Sequence, residues 1–297
     1  MKGLMSSITK YHALLKAVEC GSFTKAAAAL DYSQSGISRM IADLESEWNI
    51  SLLERSSARL SLTAEGLSVL PLVQEICNAE TRLQDRIAEL NGLEKGFIRI
   101  GTFSSVATHW LPNIIARFQN DYPGIEYELL LGDYEEIERW ILDGRVDCGF
   151  LRLPVQSDLE TEFLEQDRLL AVLPENHPLA EYAKLPIKAL RDYPFMMLER
   201  ENSSDVAELM ERRGVEPDTQ FITWDDYAIL AMVEKGLGIS ILPELILKRI
   251  PYRLTLRELD VPAYRSICFA VRTMKNASPA VRKFKDYLVF RSDSSAG

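Results

Sequence analysis

The apolar pattern of this chain changes character once, at Asn91-Gly92, and that change limits the fold to two dissimilar parts. Before it, apolar side chains recur every three or four residues, the spacing of amphipathic helices. After it, from Phe97 on, short apolar runs alternate with helical stretches, the signature of an α/β layer structure. The length of 297 residues is enough for two or three domains, each with its own core. No apolar run approaches the ~18 residues of a membrane span. The start, Met1 to Ser7, lacks the apolar core of a signal peptide. The cytoplasm is therefore the expected compartment, and no membrane partner is expected.

In the first part, Ile8 to Glu19 reads as a helix, with Tyr11, Leu14, Leu15 and Val18 on one stripe. Gly21 ends it, and Ser22 is suited to cap a second helix running to Leu30. The small side chains Ala26 to Ala29 let another helix cross at short range. After a tight connection at Asp31-Tyr32, Ser33 caps a third helix. There Ile37, Ile41, Leu44 and Trp48 form the core-facing stripe. Gln34, Ser35, Ser38 and Arg39 fall outside that stripe, near the helix start. A DNA recognition helix needs this arrangement, with short polar side chains to reach base edges and a cation for the backbone. The same four residues would also suit the solvated face of an ordinary helix. Leu52 to Thr63 then reads as a small hairpin, whose Arg55 and Arg59 can reach the DNA backbone or minor groove as a wing.

The segments GSFTKAAAAL, YSQSGISRMIADLE and LLERSSARLSLTAEG closely resemble, in order and spacing, the DNA-binding head of LysR-type transcriptional regulators. The resemblance spans about 60 residues, far more than any single short motif. It implies a winged helix-turn-helix over residues 1–66, with double-stranded promoter DNA as partner. Ser33, Gln34, Ser35, Ser38 and Arg39 would lie at the major groove, and Arg55 and Arg59 on the wing. Gly36 departs mildly, standing where that family often has alanine or another small residue.

Ala64 to Leu90 is rich in helix formers, with Val69, Val73, Ile76, Leu83, Ile87 and Leu90 on a stripe and Pro71 placed to kink it. Such a helix pairs with a copy of itself or packs on its own domain; Glu80 interrupts any strict coiled-coil seam. The resemblance implies pairing through 64–90, a homodimer or tetramer whose heads meet half-sites one helical turn apart. A linker and hinge are expected over 67–91.

Charge does not help the DNA reading. The chain carries a net charge of −10. Residues 1–66 hold Lys2, Lys10, Lys16, Lys25, Arg39, Arg55 and Arg59 against Glu19, Asp31, Asp43, Glu45, Glu47, Glu54 and Glu65, so the head is neutral. Phosphate neutralisation is the usual source of affinity, and here placement must carry it.

Beyond the hinge, strands are expected at Phe97–Gly101, Ile125–Leu131 and Val146–Leu151, with helices at Ser105–Asn120 and Tyr134–Leu142 between them. This order implies a parallel sheet. A second set comprises strands at Leu169–Leu173, Phe195–Leu198, Phe221–Thr223 and Ile239–Leu242, with helices near Asp205–Arg213 and Asp226–Lys235. Ser266–Val271 is expected to return to the first sheet, with a helix around Pro279–Phe290 covering it. The phrases FQNDYPGIEYEL, ILDGRVDCGFL, LLAVLPENHPLA and MVEKGLGISILPE resemble the effector-binding domain of the same family, which is similar to type 2 periplasmic binding proteins. The expected fold is thus α/β with an all-α, winged N-terminal head, a long linker helix and a two-subdomain α/β effector-binding domain over 92–297. Subdomain I takes about 95–163 and 266–291, and subdomain II about 164–265.

Two α/β subdomains joined by two crossings form a cleft, and ligands bind beyond the carboxyl ends of such strands. Thr102, Ser104 and Ser105 follow the first strand and suit an anion, typically a carboxylate. Ser203 and Ser204 occupy the equivalent turn of the second subdomain. Phe150 and Arg152 end a strand expected to open into the cleft, with Arg152 able to pair with a carboxylate. Asp226 and Tyr227 begin a helix near the cleft; with Asp225, those acids tolerate an amine better than a second carboxylate. The expected effector is a carboxylate or amino-acid-like metabolite.

An enzyme is not indicated. The only histidines, His12, His109 and His177, form no catalytic set, and no nucleophile elbow, phosphate loop or metal cluster is present. Cys20, Cys77, Cys148 and Cys268 are widely spaced, so zinc and disulfide frameworks are not indicated either, and no cofactor is expected. A DNA-binding regulator with no small-molecule effector, or a redox-sensing one, is the alternative. RNA polymerase is an expected further partner.

Overall fold

A computed structural model describes residues 2–54, 60–90, 96–198 and 205–292. The chain divides into two compact units, 1–87 and 88–297.

In the first unit, α1 (Lys2–Cys20), α2 (Phe23–Ala29) and α3 (Gln34–Trp48) pack around Ala13, Leu14, Ala17, Ala26, Ala27, Ile37, Ile41 and Leu44. The alanines of α2 are what allow the close crossing. Gly21 turns the chain at φ 58°, a left-handed conformation that favours glycine. Ser22 then caps α2 by accepting from the Lys25 N–H at 3.4 Å. Ser33 caps α3 by accepting from the Gly36 N–H at 3.0 Å. Asn49 ends α3 in the left-handed region. Strands β1 (Leu53–Glu54) and β2 (Ser61–Leu62) pair antiparallel as a short hairpin. The Glu45 carboxylate accepts from the N–H groups of Leu52 and Leu53 at 2.7 and 3.2 Å, tying the hairpin to α3.

Helix α4 (Ala64–Leu90) runs on through Pro71. At its start, a Cβ on Gly66 would lie 2.3 Å from the Leu52 carbonyl oxygen, so only glycine lets the helix approach there. Val73 and Cys77 are buried, whereas Leu67, Leu72, Ile76, Leu83 and Ile87 are exposed. The single apolar stripe expected along this helix is thus two faces, with Val73 turned to the head.

In the second unit, β3 (Gly96–Thr102) pairs in parallel with β4 (Ile125–Leu131) and β5 (Cys148–Leu153). Helices α5 (Ser104–His109), α6 (Leu111–Asp121) and α7 (Tyr134–Leu142) lie in the connections. The single helix expected over Ser105–Asn120 is two, broken at Trp110. Pro112, at the start of α6, has no N–H to continue the ladder. The fifteen-residue β6 (Glu160–Pro174) is far longer than the strand expected at Leu169–Leu173. Its first half pairs with β12 (Tyr264–Val271), which also pairs with β5. Its second half pairs with β10 (Ser240–Pro243) and β11 (Leu254–Leu259), the latter also flanked by β7 (Lys184–Leu185). One strand therefore serves both lobes. Next to it, β8 (Pro194–Leu198) and β9 (Asp218–Thr223) pair in parallel, joined to the β10 approach by a Phe195–Ile239 bridge.

The first lobe buries Ile98, Ile100, Trp110, Phe118, Phe150 and Phe269, with α10 (Pro279–Asp286) closing it through Val281 and Phe284. The second lobe has an apolar cluster on each face of its sheet. One holds Phe195, Leu209 and Ile241 with α8 (Asp205–Arg213), the other Met196, Ile229 and Leu242 with α9 (Asp226–Glu234).

Candidate functional site

On α3 the burial of Ile37, Ile41 and Leu44 turns the opposite face of the first turns outward. Ser33, Gln34, Ser35, Ser38 and Arg39 are all exposed. The Ser33 and Ser35 hydroxyls lie 3.1 Å apart, so the capping serine also orients its neighbour. Ser35, Ser38 and Arg39 border a groove of about 600 Å³ whose other wall includes Leu53, Glu54 and Leu60 of the hairpin. Arg39 has no acidic partner among the described residues, unlike Lys10, which reaches Asp43 at 3.7 Å and Glu47 at 4.0 Å. Arg55 and Arg59 lie outside the described residues.

In the second unit, the starts of α5, α7, α8 and α9 converge on a cleft of about 230 Å³. Ser104, Ser105, Tyr134, Asp205 and Asp226 line it, with Phe103, Leu131, Trp224 and Arg265. Arg265, at the head of β12, is buried, with four of its five N–H groups engaged. Its Nε and Nη2 donate to Asp167 Oδ2 at 3.0 and 2.7 Å. Nη2 also donates to Ser105 Oγ at 2.7 Å, and Nη1 to the Tyr134 hydroxyl oxygen at 3.0 Å. The guanidinium carbon sits 4.9 Å from the Phe103 ring centre. Burial alone would lower the Arg265 pKa; Tyr134, Asp167 and Asp205 overcome it and hold the charge in place.

The network continues across the lobes. Tyr134 donates its proton to Asp205 Oδ2 at 3.1 Å. Asp205 Oδ1 accepts from Arg152 Nη1 at 3.0 Å, and Arg152 Nη2 donates to Glu208 at 2.7 Å. Burial pushes the Tyr134 hydroxyl pKa well up, so it stays protonated as a donor. Burial also raises the Asp226 pKa, opposed by the Arg265 charge, a backbone N–H and the Ser104 hydroxyl.

Of the residues expected from the sequence, the structure brings Ser104, Ser105 and Asp226 to the cleft. Ser105 accepts from Arg265 and keeps its own O–H to donate, and the Ser104 hydroxyl lies close enough to Asp226 to lower its pKa. Thr102 is fully buried and donates to the Phe103 carbonyl at 3.4 Å. Phe150 lies in the core, not the cleft, packed edge-on against Trp110 and Phe269. The alternation of β5 turns it inward. Arg152 flanks the cleft with its guanidinium already claimed by Asp205 and Glu208. Tyr227 is half-exposed and not part of the lining. Ser203 and Ser204 lie outside the described residues.

Sequence reasoning missed Tyr134, Asp205 and Arg265. Only Arg265 had a signal: it shares strand parity with Ile267, Phe269 and Val271, so its side chain points the way the core does.

Three of the four thiols are buried and poorly suited to redox chemistry. Burial, with Glu80 adding to it, pushes the Cys77 pKa up to about 11, and burial pushes Cys268 up to about 12 and Cys148 upward. A reactive thiol needs the opposite shift. Among the described residues there is no cluster able to hold a metal ion, and no helix is long and apolar enough to cross a membrane.

A helical head with an exposed polar turn, joined through a long helix to a two-lobed cleft domain, defines a one-component transcription factor architecture. Residues 8–67 match the model of the bacterial regulatory helix-turn-helix protein, lysR family, and residues 91–291 match the LysR substrate binding domain. The chain belongs to the LysR family of DNA-binding transcriptional regulators, which are not enzymes. It is 31% identical over 94% of its length to the HTH-type transcriptional regulator YvbU of Bacillus subtilis strain 168, covering 96% of that protein. It is 32% identical over 95% of its length to the probable HTH-type transcriptional regulator LrrA of Synechococcus elongatus, again covering 96% of it. Its fold is similar to full-length CbnR, a LysR regulator solved in complex with its target DNA, at a TM-score of 0.68 and 22% identity, over 96% of this chain and 99% of that one.

Proposed function

We propose that the chain binds promoter DNA in the cytoplasm as a dimer or tetramer, and that a small molecule in the interlobe cleft sets its effect on RNA polymerase. The exposed first turns of α3 carry the DNA reading. Gln34 is suited to adenine, the serines to either base type, and Arg39 to phosphate or guanine. The wing residues Arg55 and Arg59 would add backbone or minor-groove contacts. That CbnR was solved with its target DNA supports this use of the fold.

Pairing is supported by α4, where Leu72, Ile76, Leu83 and Ile87 stand exposed at spacings of four, seven and four. Glu80 interrupts that row, so it is an apolar face suited to a partner helix rather than a strict coiled-coil seam. A tetramer needs a second self-contact, and the exposed apolar side chains Leu129 of β4 and Phe221 and Ile222 of β9 suit one. Linking two neutral heads raises affinity through effective concentration, which explains how a head without excess positive charge can hold DNA.

The cleft supports effector control because its network spans both lobes. Arg152 and Tyr134 of the first lobe hold Asp205 of the second, so a ligand inserted among them changes the lobe arrangement. The effector acts by binding one arrangement more tightly than the other.

The experiment is a gel shift on the promoter region beside the chain's own gene. Sequence-specific retardation is expected, and Ile76→Glu with Leu83→Glu should halve the mass in solution and weaken retardation by about a hundredfold. Absence of specific retardation at any concentration defeats the DNA reading. Unchanged mass in the doubly substituted chain defeats pairing through α4.

A further inference from the structure

We propose that the effector of this cleft carries a cationic nitrogen, a primary ammonium or a similar group, held by the Asp226 carboxylate with the ligand body against Phe103, Leu131 and Trp224. This rests on the cleft being the effector site and names the chemical class it selects.

The positive charges that would receive an acidic effector are already used. Four N–H groups of Arg265 are directed at Asp167, Ser105 and Tyr134. Arg152 gives one nitrogen to Asp205 and the other to Glu208. A ligand carboxylate is best held by a guanidinium fork or several N–H donors; Arg265 has a single N–H left, and Arg152 is not part of the cleft lining. Among the described residues the lining holds three carboxylates, Asp133, Asp205 and Asp226, against one cation, Arg265. The side-chain charges of that lining favour a cation over an anion, against the positive ends of the helices that start there.

Asp226 stands apart within that set. Asp133 caps α7, accepting from the Glu136 N–H at 2.7 Å. Asp205 holds Arg152 and Tyr134. Asp226 is 8% exposed, lines the cleft, and has no cation within ion-pair distance among the described residues; the Ser104 hydroxyl is its side-chain partner. A buried carboxylate with no direct ion pair is costly even with the Arg265 charge acting at longer range, and a ligand ammonium supplies the direct partner. The walls fit the same ligand. Phe103 and Tyr134 already carry the Arg265 and Arg152 guanidinium groups over their rings, and Trp224 adds a further aromatic wall suited to a cation or an apolar body. At about 230 Å³ the cleft suits a small metabolite, lying below the roughly 300–1,000 Å³ usual for drug-sized ligands.

The test uses the full chain and pairs of small molecules matched in body and opposite in charge: tyramine against 4-hydroxyphenylacetate, and isoamylamine against isovalerate. Thermal denaturation at pH 8 with millimolar compound is compared with Asp226→Asn and Trp224→Ala, whose ligand-free transitions report that they fold. The expected result is a raised midpoint with at least one amine and none with its acid counterpart, with affinity reduced about tenfold or more by Asp226→Asn, the loss of one charge-assisted contact. An acid that raises the midpoint more than its amine, insensitive to Asp226→Asn but lost in Trp224→Ala, overturns the charge assignment and leaves the cleft in place. A response that survives both substitutions overturns the cleft reading as well. No response to any amine overturns the proposal.

Discussion

The recognition face of α3 and the interlobe cleft are both polar, yet they keep their polar groups in opposite states. On α3, Ser33, Gln34, Ser35, Ser38 and Arg39 are exposed and have only short-range contacts, the longest being the Ser33 cap to Gly36. In the cleft, Arg265, Tyr134, Asp205 and Arg152 are partly or wholly buried and bonded to one another. The contrast follows from desolvation. An exposed polar group keeps its water until a partner arrives, so it can wait unpaired; a buried one cannot. The α3 face is therefore open to an outside partner, whereas anything entering the cleft would have to exploit what the internal network leaves over.

If that contrast is right, substitutions at the two places should separate stability from recognition. The largest effect is expected for Arg265→Ala, which leaves Asp167 buried without its partner. A loss of about 3–5 kcal/mol in unfolding free energy by urea denaturation is expected. Arg265→Met combined with Asp167→Leu should recover most of it. A loss under about 1 kcal/mol for the single change would mean that the network does not hold the lobes. Gln34→Ala should do the reverse: no change in the urea midpoint, but about 1–3 kcal/mol less discrimination between an operator and a base-substituted copy in competition binding. Equal discrimination would remove Gln34 from the reading surface. Asp205→Asn is smaller again, keeping hydrogen-bonding capacity but losing charge opposite Arg152, and should cost about 1 kcal/mol of stability. A fully stable variant would show that the Arg152 link between lobes contributes nothing in solution.

How far the two places could be read from sequence differs for the same reason. The α3 face lies within seven residues and obeys helical periodicity, so Ile37, Ile41 and Leu44 on one side oblige Gln34, Ser35 and Ser38 to the other. Elements with strong local signals were equally legible: the helices at Tyr134–Leu142 and Asp205–Arg213 and the strand at Ile125–Leu131 lie where the pattern put them. The cleft is assembled from partners 160, 131 and 98 positions apart, Arg265 with Ser105, Tyr134 and Asp167. No local spacing encodes such pairs. Phe150 and Arg152 show the limit on one strand. Arg152 lies near the end of β5 and Phe150 in its middle, and their side-chain direction and ion pairing depend on neighbours supplied by β12 and α8. The length of β6 was hidden similarly, since its first half, Glu160–Arg168, is polar and becomes a strand by pairing with β12.

The smallest and most pointed expectation concerns Asp226, where the contrast between a free and a satisfied group is least complete. Burial raises its folded pKa above the ordinary aspartate value, so the folded state holds its proton more tightly than the unfolded chain. Stability then falls as pH rises from the unfolded aspartate pKa toward the raised folded one, and the deficit persists above it. Asp226→Asn removes the titration while keeping the shape. The variant should match the parent at low pH and denature at a slightly higher temperature at neutral pH, with the gap opening across that window. A gap that opens as pH falls would have the wrong sign and would mean that a cation already stabilises the Asp226 carboxylate. With the expected sign, Asp226 is a group whose folded-state cost is tolerated for what it binds, the usual mark of a functional rather than a structural carboxylate.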